Sequence, residues 1–481
     1  MPKIVFIEPK APNLHIFSRF YTPRLGSFIL GALMKERGWD VEVMIEELNP
    51  LSFEDIASAD VVGLSTITPT APRAYAIAQK IKKLYPDVQV VMGGPHVTYL
   101  PEEALEHADF VIRGEGEDAL VALAGVLEEN GDLATVPNLS YKIDDAIVHN
   151  PKEEVCINLD RLPLPDFSLL NGENSAFGPL NVIPVQTSRG CPFDCSFCSV
   201  TGMFGKKYRF RSTENIVEEL RRYDKQSNFI FFYDDNLTAH PSRAKQLFRA
   251  MIREKFKFKW SAQVRADVAK DKELVKLMKK AGCHTLFIGF ESVNPETLKS
   301  MKKSQTVQEI AAAIKTIHRH HINIHGMFVY GFDDDDWKTV KQTVKFARKY
   351  RLTSSQFLIL TPFPGSEFYD KARAEHRIRF KDWALYDAHH VVFEPAHLFP
   401  VDLQRAQIFS HKKFYSLREM ARKLWHGNWI SLPLAHYARR LNRGWLRKNK
   451  TFLQVVKLLT PNKRSSISID YREKVCLDDA P

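Results

Sequence analysis

Residues 188–198 read SRGCPFDCSFC and place Cys191, Cys195 and Cys198 on one short loop, with the spacing C-x3-C-x2-C. Thiolates at this spacing can reach three corners of a cube-shaped iron–sulfur cluster. A closed structural zinc site normally needs four ligands, and the forty residues after Cys198 contain no further Cys or His. Three thiolates leave one iron open for a substrate or a cofactor. A zinc site completed by a distant His is the alternative.

The cysteine loop follows the first of six strand-like stretches that alternate with helical periodicity. The strands are predicted at residues 181–190, 229–236, 258–267, 284–292, 322–331 and 354–365. Examples of the helical segments between them are 213–224, 241–254 and 307–320. Six βα units over about 190 residues fall short of the eight in a complete barrel. The pattern therefore predicts an open, partial (βα)6 barrel of the TIM type.

The chain before this series also alternates strands and helices. Its β-branched runs lie at residues 3–9, 40–46, 60–66, 88–94 and 108–117, and its helical segments at 25–37, 73–84 and 118–129. Such alternation predicts an α/β domain with a doubly wound parallel sheet, whose ligand side lies at the carboxyl ends of the strands. A small hairpin is predicted at 137–149, followed by the Pro-punctuated linker RLPLPDF.

These patterns divide the chain into four segments. Residues 1–136 form the N-terminal Rossmann-like domain, 137–175 the hairpin and linker, 176–375 the partial barrel, and 376–481 a helical, basic C-terminal region. The fold class is therefore α/β. No stretch reaches the roughly 20 apolar residues that a membrane-spanning helix needs.

The cysteine loop after the first barrel strand, with an aromatic residue before its last Cys, resembles the radical S-adenosylmethionine (SAM) superfamily. The resemblance implies that Cys191, Cys195 and Cys198 hold a four-iron–four-sulfur cluster. It further implies that the open iron binds the amino and carboxylate groups of SAM. One electron, from a donor such as flavodoxin or ferredoxin, then cleaves SAM to methionine and a 5′-deoxyadenosyl radical.

The same resemblance assigns SAM contacts to the ends of the barrel strands. The predicted contacts are Asp234, Asp235, Asn236, Arg265, Glu291 and Gly331. Residues 234–236 stand where the family usually has Gly-Gly-Glu, so acidic and amide acceptors would hold the methionine amino group. Two alternatives remain open: residues 234–236 could cap the next helix, and Arg265 could pair with Asp267.

The N-terminal domain resembles the cobalamin-binding domain that precedes many radical SAM barrels. The matching turns supply the predicted cobalamin contacts Ser65, Gly93, Gly94, Gly114, Glu115 and Gly116. Gly and Ser at the carboxyl ends of a sheet let a bulky planar ring approach the backbone. The motif Asp-x-His-x-x-Gly, which marks replacement of the lower cobalt ligand, is absent. His15 is the one candidate cobalt ligand in that region, with a plain surface His as the alternative.

The resemblances predict a cobalamin-dependent radical SAM enzyme that modifies an unactivated carbon, with methyl transfer as the leading outcome. The alternatives are a radical SAM cyclase or carbon–carbon coupling enzyme, and a cluster-binding protein without cobalamin. A tRNA methylthiolase would need a second cysteine trio, and the chain has no Cys before Cys156.

Net charge is concentrated near the C-terminus. The chain carries a formal charge of +11, and residues 411–450 hold eleven Lys and Arg against a single Glu. Aromatic and Leu residues lie among these charges: Phe414, Tyr415, Leu424, Trp425, Trp429, Leu441 and Trp445. The mixture predicts peripheral docking of a cytoplasmic protein on the inner face of a membrane, with a lipid-like or isoprenoid small-molecule substrate. Nucleic acid binding is disfavoured, and a solvated helical cap is the other alternative.

Overall fold

The computed structural model describes residues 1–13, 22–152, 158–172, 177, 181–303, 305–425 and 431–459. Within these ranges the chain forms two compact units. The first holds residues 1–12, 22–191 and 199–219, and the second holds residues 13, 192–198 and 220–459. Cys191 thus belongs to the first unit, whereas Cys195 and Cys198 belong to the second. The boundaries of the four sequence segments stay predictions.

Strands and helices alternate along the first unit, as expected. Its strands are β1 (Lys3–Glu8), β2 (Asp40–Ile45), β3 (Val61–Ser65), β4 (Gln89–Gly93), β5 (Phe110–Ile112), β6 (Leu139–Ile143), β7 (Ala146–His149), β8 (Val182–Val185), β9 (Ser188–Arg189) and β10 (Arg209–Phe210). Its helices are α1 (Leu25–Glu36), α2 (Phe53–Ala57), α3 (Ala71–Leu84), α4 (Pro95–Tyr99), α5 (Pro101–Ala104), α6 (Glu117–Glu129), α7 (Val200–Phe204) and the start of α8 (Thr213–Arg222).

The main sheet of this unit has the strand order β2-β1-β3-β4-β5-β6-β7. Strands β1 to β5 pair in parallel, and β6 and β7 add an antiparallel edge. Ile4 and Phe6 enter one apolar core while Val5 and Ile7 enter another, because successive side chains of β1 point to opposite faces. The doubly wound parallel sheet is therefore confirmed, and the predicted hairpin is the β6–β7 pair.

Six βα repeats are also present in the later part of the chain. The strands of the second unit are β11 (Phe229–Phe232), β12 (Lys259–Val264), β13 (Cys283–Glu291), β14 (Asn323–Tyr330) and β15 (Ser354–Ile359). They pair in parallel in chain order and, with β8, make up a six-stranded sheet. The helices are α9 (Pro241–Glu254), α10 (Lys272–Lys280), α11 (Pro295–Ser300), α12 (Val307–Arg319), α13 (Trp337–Lys349), α14 (Glu367–Ala374), α15 (Pro400–Phe414), α16 (Leu417–Trp425), α17 (Ser431–Lys448) and α18 (Lys450–Leu458).

The two faces of the barrel strands differ in burial. Ile230, Phe232 and Trp260 are fully buried on the helix-covered face, and Trp260 stacks on Phe248 of α9 with ring centroids 5.1 Å apart. The alternate residue Phe231 is only half-buried. A partial barrel whose helices cover one face leaves the other face for ligands, and this strand pattern fits that arrangement.

The C-terminal region is helical, as predicted, but its aromatic residues do not line a surface. Phe414, Tyr415, Leu441 and Trp445 are buried within the second unit, whereas Trp425 is 89% exposed. Trp429 lies outside the described residues. Most of the apolar residues expected to face a membrane therefore pack inside the second unit. Along the described helices, none combines the length and apolar character needed to cross a bilayer.

Candidate active site

The cysteine loop is held by backbone and aromatic contacts within the second unit. The N–H of Cys198 donates to the carbonyl of Cys195 at 3.0 Å, and the carbonyl of Ser196 accepts from the N–H of Phe368 at 2.9 Å. Phe197, between them, packs edge-on against Phe332 at 5.8 Å. These backbone and aromatic contacts shape the loop between Cys195 and Cys198.

The thiols fit the donor set of an iron–sulfur cluster. Cys191, Cys195 and Cys198 are all half-buried and free of disulfides. No three His, Cys, Asp or Glu side chains of the described residues converge on a single ion. A cluster does not require such convergence, because each thiolate binds a different iron. Three soft sulfur ligands on one short loop are what such a cluster takes up.

Position 190, just before the cysteine loop, accepts only glycine. Its φ is +87°, and a Cβ there would lie 2.7 Å from the carbonyl oxygen of Lys207. The neighbouring residues of β9 pair antiparallel with β10. The chain can therefore turn out of the strand into the cysteine loop only with glycine at this position.

The acidic turn after β11 lies at the expected strand end. Asp234 and Asn236 are buried, whereas Asp235 between them is exposed to solvent. Desolvation, with the charge of Asp234 as the second cause, raises the pKa of Asp235 to about 7. The helix-cap alternative for these residues is wrong, because His240 caps α9 by accepting from the N–H of Arg243.

A cavity of about 590 Å³ joins this turn to the cysteine loop within the second unit. Phe193 of the loop and Asn236 both line it, together with Asp267. The guanidinium of Arg265 lies 3.9 Å above the ring of Phe193. Arg265 also meets Asp267, at 3.6 Å, so the alternative pairing of these two residues is present but long. Of the predicted SAM contacts, Arg265 thus packs on the cysteine loop, and Asn236 shares a cavity with it.

A buried ion pair at the end of β13 includes one residue that sequence reasoning missed. The Nζ of Lys303 lies 2.6 Å from Glu291, and both side chains are almost fully buried. Arg265 donates to the backbone carbonyl of Lys303 at 2.5 Å. Arg265, Lys303 and Glu291 therefore lie together. Nothing in the sequence separates Lys303 from the adjacent Lys302, whose side chain is exposed and pairs with Glu367.

Gly331 marks the end of β14 and has a φ of +114°. A Cβ there would come within 2.9 Å of Leu403, so a side chain would be both strained and crowded. Its N–H donates at 3.0 Å to Asp335, whose pKa burial raises to about 7 against the opposing hydrogen bonds. The next residue, Phe332, packs on Phe197 of the cysteine loop.

The predicted cobalamin contacts follow three neighbouring strands, β3, β4 and β5. Ser65 ends β3, Gly93 ends β4, and Gly114 follows β5. A Cβ on Gly93 or Gly114 would meet nothing within 4 Å, whereas one on Gly94 would lie 2.4 Å from the carbonyl oxygen of Thr66. The open space over Gly93 and Gly114 fits a ligand that approaches the backbone closely.

Two further predictions about cobalamin have different outcomes. The carboxylate of Glu115 is committed to Arg189 and Arg209, so the backbone of its turn, with Gly116, is the part left for a ligand. His15 lies outside the described residues.

Two family models match the chain. The radical SAM superfamily matches residues 185–347, and the B12 binding domain matches residues 17–124. An uncharacterized methyltransferase of Pyrococcus horikoshii is 32% identical over 404 residues, which cover 82% of this chain and 88% of the relative. The bacteriochlorophyllide d C-12(1)-methyltransferase of Chlorobaculum tepidum is 31% identical over 401 residues, which cover 82% and 83%.

Solved structures share the fold. The radical SAM methyltransferase TsrM of Kitasatospora setae, with tryptophan and a SAM analogue bound, matches with a TM-score of 0.67 and 18% identity, covering 79% of this chain and 77% of that one. The sheet, the cysteine loop and these matches define a radical SAM protein with an N-terminal cobalamin-binding domain. The chain belongs to the radical SAM superfamily, and it is an enzyme whose cofactors are a four-iron–four-sulfur cluster, SAM and cobalamin.

Replacing Cys195 with Ala should remove most of the iron and the broad cluster absorbance, because two thiolates cannot hold a cluster that needs three. The check is the absorbance and iron content of the anaerobically reconstituted chain. Cys283→Ala is the control, since that thiol is buried and burial raises its pKa. An unchanged spectrum in Cys195→Ala would refute the ligand assignment.

If the carboxylate of Asp235 accepts from the ammonium of SAM, the affinity for SAM should fall as the pH drops below 7. Because the pKa of Asp235 is raised to about 7, the accepting form is lost there, and the dissociation constant should rise about tenfold per pH unit. Calorimetric titration between pH 5.5 and 8.5, at about half-unit steps around that pKa, measures it.

Asp235→Asn should abolish this pH dependence of SAM binding. Asp333→Asn should keep it, because Arg377 and Lys371 outweigh burial and hold the pKa of Asp333 low. If the dissociation constant of Asp235→Asn still rises below pH 7, the titrating group is a different one.

Proposed function

We propose that the chain transfers a methyl group from cobalamin to an unactivated carbon of a small, apolar molecule. One observation carries the proposal: both cofactor domains occur in one chain, and relatives named as methyltransferases are 32% and 31% identical across more than four-fifths of it. Cyclisation or carbon–carbon coupling is the other outcome of the same cofactors.

Each group of residues has a separate task in this proposal. When bound, the cofactors supply one-electron cleavage of SAM and a transferable methyl group. The three cysteines hold the cluster, and the glycine turns after β4 and β5 hold cobalamin. Around SAM, Asp235 accepts from the ammonium, and Arg265 pairs with the carboxylate. Glu291, which is paired with Lys303, accepts from a hydroxyl.

The half-buried face of the barrel strands supports an apolar substrate. Phe231, Phe287 and Met327 lie on it, and the ring of Phe231 meets that of Phe287 at 5.7 Å. Phe287 in turn lies 4.8 Å from the ring of His325. Aromatic and thioether surface of this kind binds flat or branched hydrocarbon well. A lipid-like or isoprenoid substrate fits this face.

An exposed basic stripe on α17 supports docking on an anionic surface. His436, Arg440, Arg443 and Arg447 are all exposed and recur at helical spacing along one face. Since Phe414, Tyr415 and Trp445 are buried and only Trp425 of the described aromatic residues in this segment is largely exposed, we propose that a cytoplasmic protein docks peripherally on the inner membrane face mainly by charge. An acidic electron donor such as flavodoxin or ferredoxin completes the partners.

The assay that tests the proposed function is anaerobic reconstitution with cobalamin, SAM, a reductant and trial lipid-like substrates. We expect 5′-deoxyadenosine and S-adenosylhomocysteine together, with product mass raised by one methylene, and neither from Cys195→Ala. Formation of 5′-deoxyadenosine with an unmethylated product would favour cyclisation or coupling. Absence of both SAM products across the substrates would contradict the enzyme proposal.

Flotation with phosphatidylglycerol vesicles tests the basic stripe. Reversing Arg440, Arg443 and Arg447 to Glu should abolish vesicle binding at low salt, and salt should weaken the wild-type binding, because exposed charges are screened beyond about 10 Å at 0.1 M salt. The control reverses three exposed lysines of α13: Lys338, Lys341 and Lys345. Equal flotation of wild-type and reversed stripe would remove the membrane proposal.

A further inference from the structure

Four charged side chains form a buried network inside the first unit. Arg189 contacts Glu115 at 2.7 Å and Glu117 at 2.6 Å. Arg209 donates to the same carboxylate of Glu115 through both of its terminal nitrogens, one of them at 3.1 Å. None of the four side chains is more than 8% exposed. Glu115 is therefore the centre of the network, bridging two arginines.

The network is electrically balanced and well bonded. Two carboxylates face two guanidiniums, Arg189 also donates to the side chain of Gln186 at 3.0 Å, and Arg209 donates to the carbonyl of Phe204 at 3.1 Å. Buried ion pairs are seldom more stable than apolar residues of the same volume. A network of this kind is therefore better explained by the geometry it imposes than by stability.

The geometry joins two cofactor regions. Glu115 lies between Gly114 and Gly116, in the turn predicted to approach cobalamin. Arg189 lies two residues before Cys191, at the base of the cysteine loop. A second contact works from the other side of that loop, since the hydroxyl of Tyr99, at the end of α4, donates to the carbonyl of Ser199 at 3.0 Å. The turns after β5 and β4 are thus tied to the chain on either side of residues 191–198.

We propose that Glu115 is a positioning residue that couples the cobalamin turn to the base of the cysteine loop. Cobalamin bound over that turn and a cluster bound on the loop then stabilise one arrangement of the network, so each raises the affinity for the other. The inference rests on the proposed function for the identity of the two cofactors. It gives Glu115 a role through Arg189 and Arg209 and not as a cobalamin contact.

The test is a binding cycle on the full-length chain. The dissociation constant of hydroxocobalamin is measured before and after reconstitution with iron and sulfide, for wild type and Glu115→Gln. We expect the cluster to tighten cobalamin binding at least about fivefold in wild type, the lower end of ordinary coupling. In Glu115→Gln the ratio should approach one, because the neutral amide cannot hold both arginines.

Glu419→Gln is the matched control. Glu419 is a buried carboxylate that also bridges two arginines, Arg348 of α13 and Arg422 of α16, within the second unit. It should keep the wild-type ratio despite a comparable loss of stability in thermal unfolding. Loss of the ratio in Glu419→Gln as well would overturn the proposal, because a general loss of stability would then explain both variants.

Other outcomes are also decisive. A ratio of one in wild type, or an unchanged ratio in Glu115→Gln, would overturn the inference. If Glu115→Gln does not fold, Glu115→Asp keeps the charge but is too short to span both arginines, and the same loss of coupling is expected. Turnover by wild type is scored separately, so failure of the coupling leaves the methyltransferase proposal standing.

Discussion

The ion pairs of the Glu115 carboxylate with Arg189 and Arg209 hold the chain just before Cys191, at the base of the cysteine loop. Charges this deeply buried tolerate little displacement, because a guanidinium that leaves its carboxylate has no water to replace it. Gly190 adds a steric constraint next to Arg189, since only a residue without a Cβ passes the carbonyl of Lys207. The segment that leads into the cysteine loop is therefore restricted to one geometry.

The elements of the fold could be predicted from local patterns. Residues 3–9 and 88–94 are apolar runs of strand length between polar turns, so β1 and β4 lie where the sequence places them. Parallel pairing followed from strand–helix alternation, because a parallel strand needs a crossover. The three cysteines could be identified as candidate cluster ligands because their spacing is local. That information is carried by neighbours in the chain.

Contacts between distant residues could not be predicted. Nothing near Glu115 in the sequence indicates that it pairs with an arginine 74 residues later. Likewise, the sequence does not show that Lys303, and not the adjacent Lys302, is the buried lysine. His240 caps α9 although Asp234 and Asp235 are the stronger cap formers by type. Trp445 is a residue type common in membrane anchors, but it is buried, and its ring lies 5.0 Å from the ring of His390. Each outcome depends on tertiary packing that composition does not encode.

Three thiolates on one loop would leave a single iron of the cluster open for SAM. Mössbauer spectroscopy of the reconstituted cluster, with and without SAM, tests it most directly, because it distinguishes irons by their ligands. We expect SAM to change the signal of one iron in four and to leave the other three unchanged. Identical spectra with and without saturating SAM, or a change in all the irons, would contradict it.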